Sequence, residues 1–185
     1  NGVNVKVLDS AGAERNAGLL AVNTGQVNAM MPADTAVGPA TVSIVRDGSA
    51  ILRDTVQVIG GAPTLFVYSI NGLDRPIGEL VWVDSAGTQQ RASLLAADST
   101  GALAPGRLRF SQTPGSITLV LYGTGLNQSN ATADATARVG DIAAAVTYAG
   151  AQGQFAGLDQ YNIEVPRSLA GRGEVSLAVL VNGIP

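Results

Sequence analysis

Two stretches of this chain are written to one plan, and that duplication restricts the possible folds more than any single residue does. Residues 26–32 read Gln26-Val27-Asn28-Ala29-Met30-Met31-Pro32, and residues 160–166 read Gln160-Tyr161-Asn162-Ile163-Glu164-Val165-Pro166. Each holds Gln-x-Asn, three further residues and a Pro. Each continues through a Gly into an apolar segment that closes on Asp47-Gly48 in the first copy and on Asn182-Gly183 in the second. Residues i and i+2 share one face of an extended strand, and proline ends a ladder because it has no N–H to donate. Two copies of one supersecondary unit predict two similar domains in tandem. What persists between the copies is amides, alternating strand residues and a terminating proline. The phenol of Tyr161 and the acid of Glu164 face Val27 and Met30 in the other copy. The two Asn side chains are therefore expected to hydrogen-bond the backbone of an adjacent loop.

The rest of the chain reads as short strands separated by turn signals, with no helical periodicity of useful length. Val3, Val5 and Val7 alternate with Asn4 and Lys6, a half-buried strand over residues 3–8. It ends at Asp9-Ser10-Ala11-Gly12, a turn repeated at Asp84-Ser85-Ala86-Gly87 and at Asp98-Ser99-Thr100-Gly101. In such turns Asp bonds nearby backbone and Gly accepts positive φ. Residues 40–46 and 51–59 form a hairpin across Asp47-Gly48. Gly60-Gly61-Ala62-Pro63 breaks the pattern and marks a boundary between domains 1–62 and 63–185. In the second domain, residues 64–69 open the unit, 71–78 are loop, and the pieces from 79 to 110 form a meander. Residues 116–122 are a buried strand leading into Gly123-Thr124-Gly125. Residues 127–134 read as a small, polar loop, 136–139 pairs with 142–148, and a last strand runs over 174–181. The fold class is all-β: two tandem Ig-like β-sandwiches, the second enlarged by the meander. The first is expected to lack an opening strand, because nothing equivalent to 116–122 precedes Val3. Its uncovered edge would invite pairing with another chain or with an upstream segment.

Composition removes several function classes. Charged residues make up 14% of the 185 positions and the formal net charge is -3. Nucleic-acid binding needs clustered cations, whereas here Lys6 is the single lysine and the ten arginines are scattered. No apolar run approaches the roughly 20 residues that cross a bilayer, so no membrane insertion is expected. With no cysteine and no histidine, disulfides, thiolate metal sites and the usual proton-transfer partners are absent. The chain begins at Asn1 and reads as a segment of something longer.

Particular residues carry a resemblance. Leu121-Tyr122-Gly123-Thr124-Gly125-Leu126, then Tyr148-Ala149-Gly150, then residues 157–166 (GLDQYNIEVP) are similar to a C-terminal domain family of large exported proteins, abundant in soil Acidobacteria of the Solibacter type and functionally uncharacterised. Residues 18–66, with Gly25-Gln26-Val27-Asn28 and Ala62-Pro63-Thr64-Leu65-Phe66, resemble the segment that usually precedes it. The resemblance covers nearly the whole chain. It implies Ig-like sandwiches of the IPT/TIG type, extracellular or at the cell surface, and it brings no catalytic residues. Asn127 departs from the family, which more usually has a Gly or a basic residue after Leu126, and the first domain starts late.

The candidate sites are few. Lys6 has no Ser-x-x-Lys context and reads as a solvated strand residue. An Lys6–Asn28 cross-link has no evident buried acid beside it. Glu164 and Glu174, both placed on strands, are the pair of carboxylates that glycoside hydrolysis would need. The Asp-Ser-x-Gly turns offer single carboxylates, with Asp84 and Asp98 the better placed for Ca²⁺, although hard-cation loops gather several. No cofactor is expected. Gly123-Thr124-Gly125 lacks the Lys and the helix of a phosphate loop and fits a tight strand exit. Tyr161 occupies the place of a tyrosine corner, whose hydroxyl would bond back to the loop. Trp82 and Phe155 are the aromatics a carbohydrate-binding module would use. The expected function is a non-enzymatic extracellular module, a spacer or an adhesion and protein-contact domain. The alternative is a carbohydrate-binding module.

Overall fold

The computed structural model describes residues 2–113, 115–126 and 131–185, and the chain divides into two compact units, Asn1–Gly61 and Ala62–Pro185. Asn127 and the loop 127–130 lie outside the described residues. Both units are all-β and built of antiparallel sheets, consistent with β-sandwich architecture.

In the first unit β1 (Val3–Leu8), β2 (Glu14–Asn16), β3 (Gly18–Val22), β4 (Val27–Met30), β5 (Gly38–Arg46) and β6 (Ser49–Val58) form a four-stranded sheet, β2-β1-β5-β6, and a separate hairpin, β3-β4. The alternation in β1 buries Val5 and Val7, and these meet Ala17 and Ala40, with Val27, Val42, Ile44 and Val58 packed around them. This core is small. Leu52 and Val56, opposite Ile44 and Ala40 on β5, stay 55% and 37% exposed. The hairpin between β5 and β6 turns at Asp47 and Gly48, with φ of +50° and +82°, the left-handed pair that a two-residue turn requires.

The second unit contains β7 (Thr64–Leu65), β8 (Val67–Ile70), β9 (Leu73–Pro76), β10 (Gly78–Val83), β11 (Gln89–Ser93), β12 (Leu95–Ala97), β13 (Leu103–Pro105), β14 (Ile117–Thr124), β15 (Ala135–Val139), β16 (Ile142–Ala144), β17 (Val146–Ala151), β18 (Asp159–Glu164) and β19 (Leu177–Val181). Its largest sheet runs β11-β10-β14-β18-β17, with β7 also paired to β14, and a three-stranded sheet runs β16-β15-β19. The core draws on both: Ile117, Leu119, Leu121, Tyr161 and Ile163 from the first, Ala137, Val139 and Val181 from the second. Burying a side chain of this size stabilises by about 1.5–3 kcal/mol, so this core far outweighs that of the first unit.

Three readings of the sequence need correction. Residues 71–78 are not loop: Asn71 and Gly72 have φ of +53° and +76° and close the β8–β9 hairpin. Residues 142–148 are not one strand. The chain pairs with β15 as β16, leaves that sheet at Ala145, and joins β18 as β17, because apolar alternation does not encode which sheet a segment serves. The last strand starts at Leu177, and Glu174 lies in a bend before it.

The duplication is visible in the pairing itself. In β3–β4, Leu19 faces Ala29 and Ala21 faces Asn28, leaving Leu20 as an extra residue. In β17–β18, Val146 faces Ile163 and Tyr148 faces Asn162, leaving Thr147 as the extra residue. The bulge falls at the same step beside each motif Asn. The edges differ, however. Beyond β18 lies β14, in register from Thr118↔Glu164 to Gly123↔Asp159, whereas among the described residues no strand pairs with the second edge of β4.

Candidate functional site

Within each motif the Gln and Asn side chains bond each other. Gln160 Nε2 donates to Asn162 Oδ1 at 2.8 Å, and Gln26 Nε2 donates to Asn28 Oδ1 at 2.5 Å. Two amides at i and i+2 share a strand face and so meet without help from any other element. The expected bond from Asn to a neighbouring loop's backbone is not what holds these side chains; each Asn accepts from its own Gln. Pro32 and Pro166 follow two residues after their strands end.

The opposite face of β18 is the interior. Tyr161, 1% exposed, lies between Leu121 on β14 and Ala149 on β17. Among the described residues its buried hydroxyl has no hydrogen-bond partner, so Tyr161 does not form a tyrosine corner with them. Tyr148, by contrast, does use its phenol, donating to the carbonyl of Ala151 at the end of its own strand at 2.6 Å. Burial, with Asp159 adding to it, pushes the Tyr161 phenol up to about 12. Asp159 is itself buried, and burial raises its carboxyl, opposed by the Leu126 N–H that donates to it at 2.7 Å.

These contacts explain the glycine-rich string. Thr124 Oγ1 donates to the Gly157 carbonyl at 3.0 Å, and Asp159 holds Leu126. The exit of β14 is thereby tied to the entry of β18. A Cβ on Gly123 would lie 2.3 Å from the Thr64 carbonyl oxygen, and one on Gly125, where φ is +96°, would lie 1.8 Å from that of Ala62. Close backbone approach is the reason for glycine at both. Residues 121–126 and 157–166 thus build one structural lock from two separated strings.

The three Asp-Ser-x-Gly turns share one geometry. Asp9 Oδ1 accepts the N–H groups of Ala11 and Ala13 at 3.0 and 2.9 Å; Asp84 accepts those of Ala86 and Thr88, both at 2.9 Å; Asp98 accepts those of Thr100 and Ala102 at 2.8 and 3.1 Å. Each glycine N–H closes onto its Asp carbonyl at 3.0 Å. Hydrogen bonds to the charged form lower all three carboxyls. Asp9 carries the most: its other oxygen accepts Ala36 N–H at 3.1 Å and the Arg15 guanidinium, and Arg15 also reaches Asp34 at 3.1 Å. The backbone bonds from Ala36 and Ala13, with Arg15 behind them, bring Asp9 down to about 2. Among the described residues no group of three or more acidic side chains could hold a metal ion.

The remaining candidates are dispersed. Glu174, off the strands, pairs with Arg75. Glu164 lines a surface groove of about 460 Å³ with Ala143, Ala144 and Arg167. Arg167 is occupied: it donates to the carbonyls of Thr113, Gly115 and Phe110 at 2.8–2.9 Å and lies over the Phe110 ring at 5.6 Å. Lys6 pairs with Glu14 at 2.7 Å. Trp82 is half-buried against the core, while Phe155 is 66% exposed. Among the described residues no helix is long and apolar enough to cross a membrane. Sequence reasoning missed Tyr148 and the buried Asp159, although both belong to strings it singled out. Comparisons with protein-family models, with curated proteins and with solved structures each return no match to this chain.

Proposed function

We propose that this chain is a non-enzymatic module of a larger exported protein. On this reading it is two tandem Ig-like β-sandwiches serving as a spacer or as an adhesion and protein-contact domain, outside the cell or at its surface. The observation that carries the reading is the fate of the duplicated motif's polar groups. In both copies the Gln and Asn amides bond each other, and the groups with proton-transfer chemistry, Tyr161 and Glu164, are replaced by Val27 and Met30. Shared amides of this kind hold a strand and its turn, whereas acyl or glycosyl transfer needs paired groups. The acids of the three turns are likewise bound to backbone. The matching bulges support the tandem reading, and the resemblance to exported Acidobacterial domains supports the location.

A carbohydrate-binding reading rests on Phe155, the more exposed of the two candidate aromatics; Trp82 serves the core. A glycan array probed with the full chain and with its Phe155→Ala and Trp82→Ala variants tests the proposal. We expect no glycan to be retained by the full chain. A glycan whose binding disappears in Phe155→Ala would establish the carbohydrate-binding alternative instead.

A further inference from the structure

We infer that the second edge of β4 is a strand-acceptor site, which takes an extended, uncharged polypeptide segment of the chemistry of Ile117–Thr124, running antiparallel to β4. The inference deepens the protein-contact reading and rests on the two units being copies of one plan. The second unit shows what that plan does with this edge. There β18 is covered by β14, Leu119 opposite Ile163 and Leu121 opposite Tyr161, and Tyr161 and Ile163 are 1% and 0% exposed. The equivalent residues of β4 are Val27, half-buried, and Ala29, exposed. The bulge and the Gln–Asn bond next to this edge are the same in both units, so the strand is presented in the same way, while among the described residues no neighbour pairs with it.

The chemistry of the edge narrows the occupant. Natural sheets protect free edges with charge, proline or inward-pointing lysine. From Gly18 to Met31 this hairpin carries no charged residue, and Leu19, Leu20 and Met31 are 38%, 56% and 39% exposed. β14 is likewise uncharged, with Ile117, Leu119, Val120 and Leu121 along it and Gly123 near its exit. An edge and a segment that are both uncharged pair without stranding an ion. Backbone direction fits as well. Gln26 C=O accepts the Asn23 N–H within the hairpin. Strand residues alternate the side to which their N–H and C=O point, so the N–H groups of Val27 and Ala29 face the open edge. In the second unit Val165 N–H, two residues beyond Ile163, reaches Ile117 in just this sense.

The test is amide hydrogen exchange, read by NMR on the full chain with a synthetic peptide of residues 116–126 (SITLVLYGTGL). We expect the peptide to slow exchange at Val27 and Ala29 by about tenfold or more. The Ala29→Pro chain should lose the effect, since it removes a donor facing the open edge and none that pairs with β3. A peptide carrying Leu121→Pro should also give no protection, since it removes the donor that would lie opposite Val27, and it tests the same ladder with the protein unaltered. Absence of protection at saturating peptide overturns the inference. So does equal protection by the Leu121→Pro peptide, which would mean unspecific apolar association. Protection of Val27 and Ala29 without peptide, in a dimer detected by sedimentation, would make the occupant a second copy and also overturn it. Each of these results is independent of the glycan array, so failure here leaves the spacer reading standing.

Discussion

Two buried acids of this protein titrate in opposite senses. Asp9 has its carboxyl held down to about 2 by backbone N–H groups and Arg15. A depressed folded value stabilises above the unfolded value of 3.8 and is lost as pH falls through about 2. The first unit should therefore loosen between those values, and in Asp9→Asn that acid step should flatten; circular dichroism against pH reads both. Asp159 has its carboxyl raised by burial, so its ionisation opposes folding at neutral pH and its protonation relieves the strain. Tyr161 makes a second residue-scale prediction. A buried hydroxyl without a partner costs about 1–3 kcal/mol relative to a satisfied one. Tyr161→Phe should then be neutral or stabilising by up to about 1 kcal/mol in urea unfolding; a loss of stability would show that the phenol has a partner after all. Position along the chain placed Tyr161 where a corner forms, but whether a hydroxyl finds an acceptor depends on what packs around it. That is not written locally.

Among the elements, the Gln-x-Asn strands and the glycine exit are separable by mutation. A double-mutant cycle on Gln160→Ala and Asn162→Ala should give a coupling of about 0.5–1 kcal/mol. The same cycle on Gln26 and Asn28, whose bond is exposed, should give less. Coupling near zero at the second-unit pair would mean that the shared bond is incidental to the repeat. Gly125→Ala places a methyl against the Ala62 carbonyl at positive φ, and left-handed strain with overpacking should cost about 3 kcal/mol or more. Gly12→Ala, also at positive φ but with open space around it, should cost clearly less. The Asp-Ser-x-Gly turns were legible because the backbone N–H groups that close each turn onto its Asp lie within four residues. The β16-to-β17 break at Ala145 was not, since one apolar run feeds two sheets. The Asn71-Gly72 hairpin was legible in principle: Asn-Gly between Ile70 and Leu73 is a strong turn signal.

For the whole molecule, the difference between the two cores sets the order of unfolding. The first unit buries Val5, Val7, Ala17 and Ala40, while the second buries Leu80, Ile117, Leu119, Leu121, Tyr161, Ile163 and others. Burial scales with apolar area removed from water, so β1 and β5 amides should exchange at lower urea than those of β14 and β18. A single transition reported identically by both sets would show instead that the units fold as one cooperative block.

The local part of this fold is in the sequence: the alternation of β1, the turns that Asp and Gly close, the Pro after each Gln-x-Asn strand, and the motif that occurs twice. Those features depend on neighbours a few positions apart. Tertiary structure alone decided which edge each strand faces, that Asp159 would reach Leu126, that Glu174 would go to Arg75, and that Trp82 would serve the core. Such pairings join residues tens of positions apart, and their geometry follows from how sheets pack. The two motifs show the division most clearly. Their internal bond was available to any extended Gln-x-Asn, whereas only the tertiary structure shows that β14 covers β18 and that, among the described residues, no strand pairs with the second edge of β4.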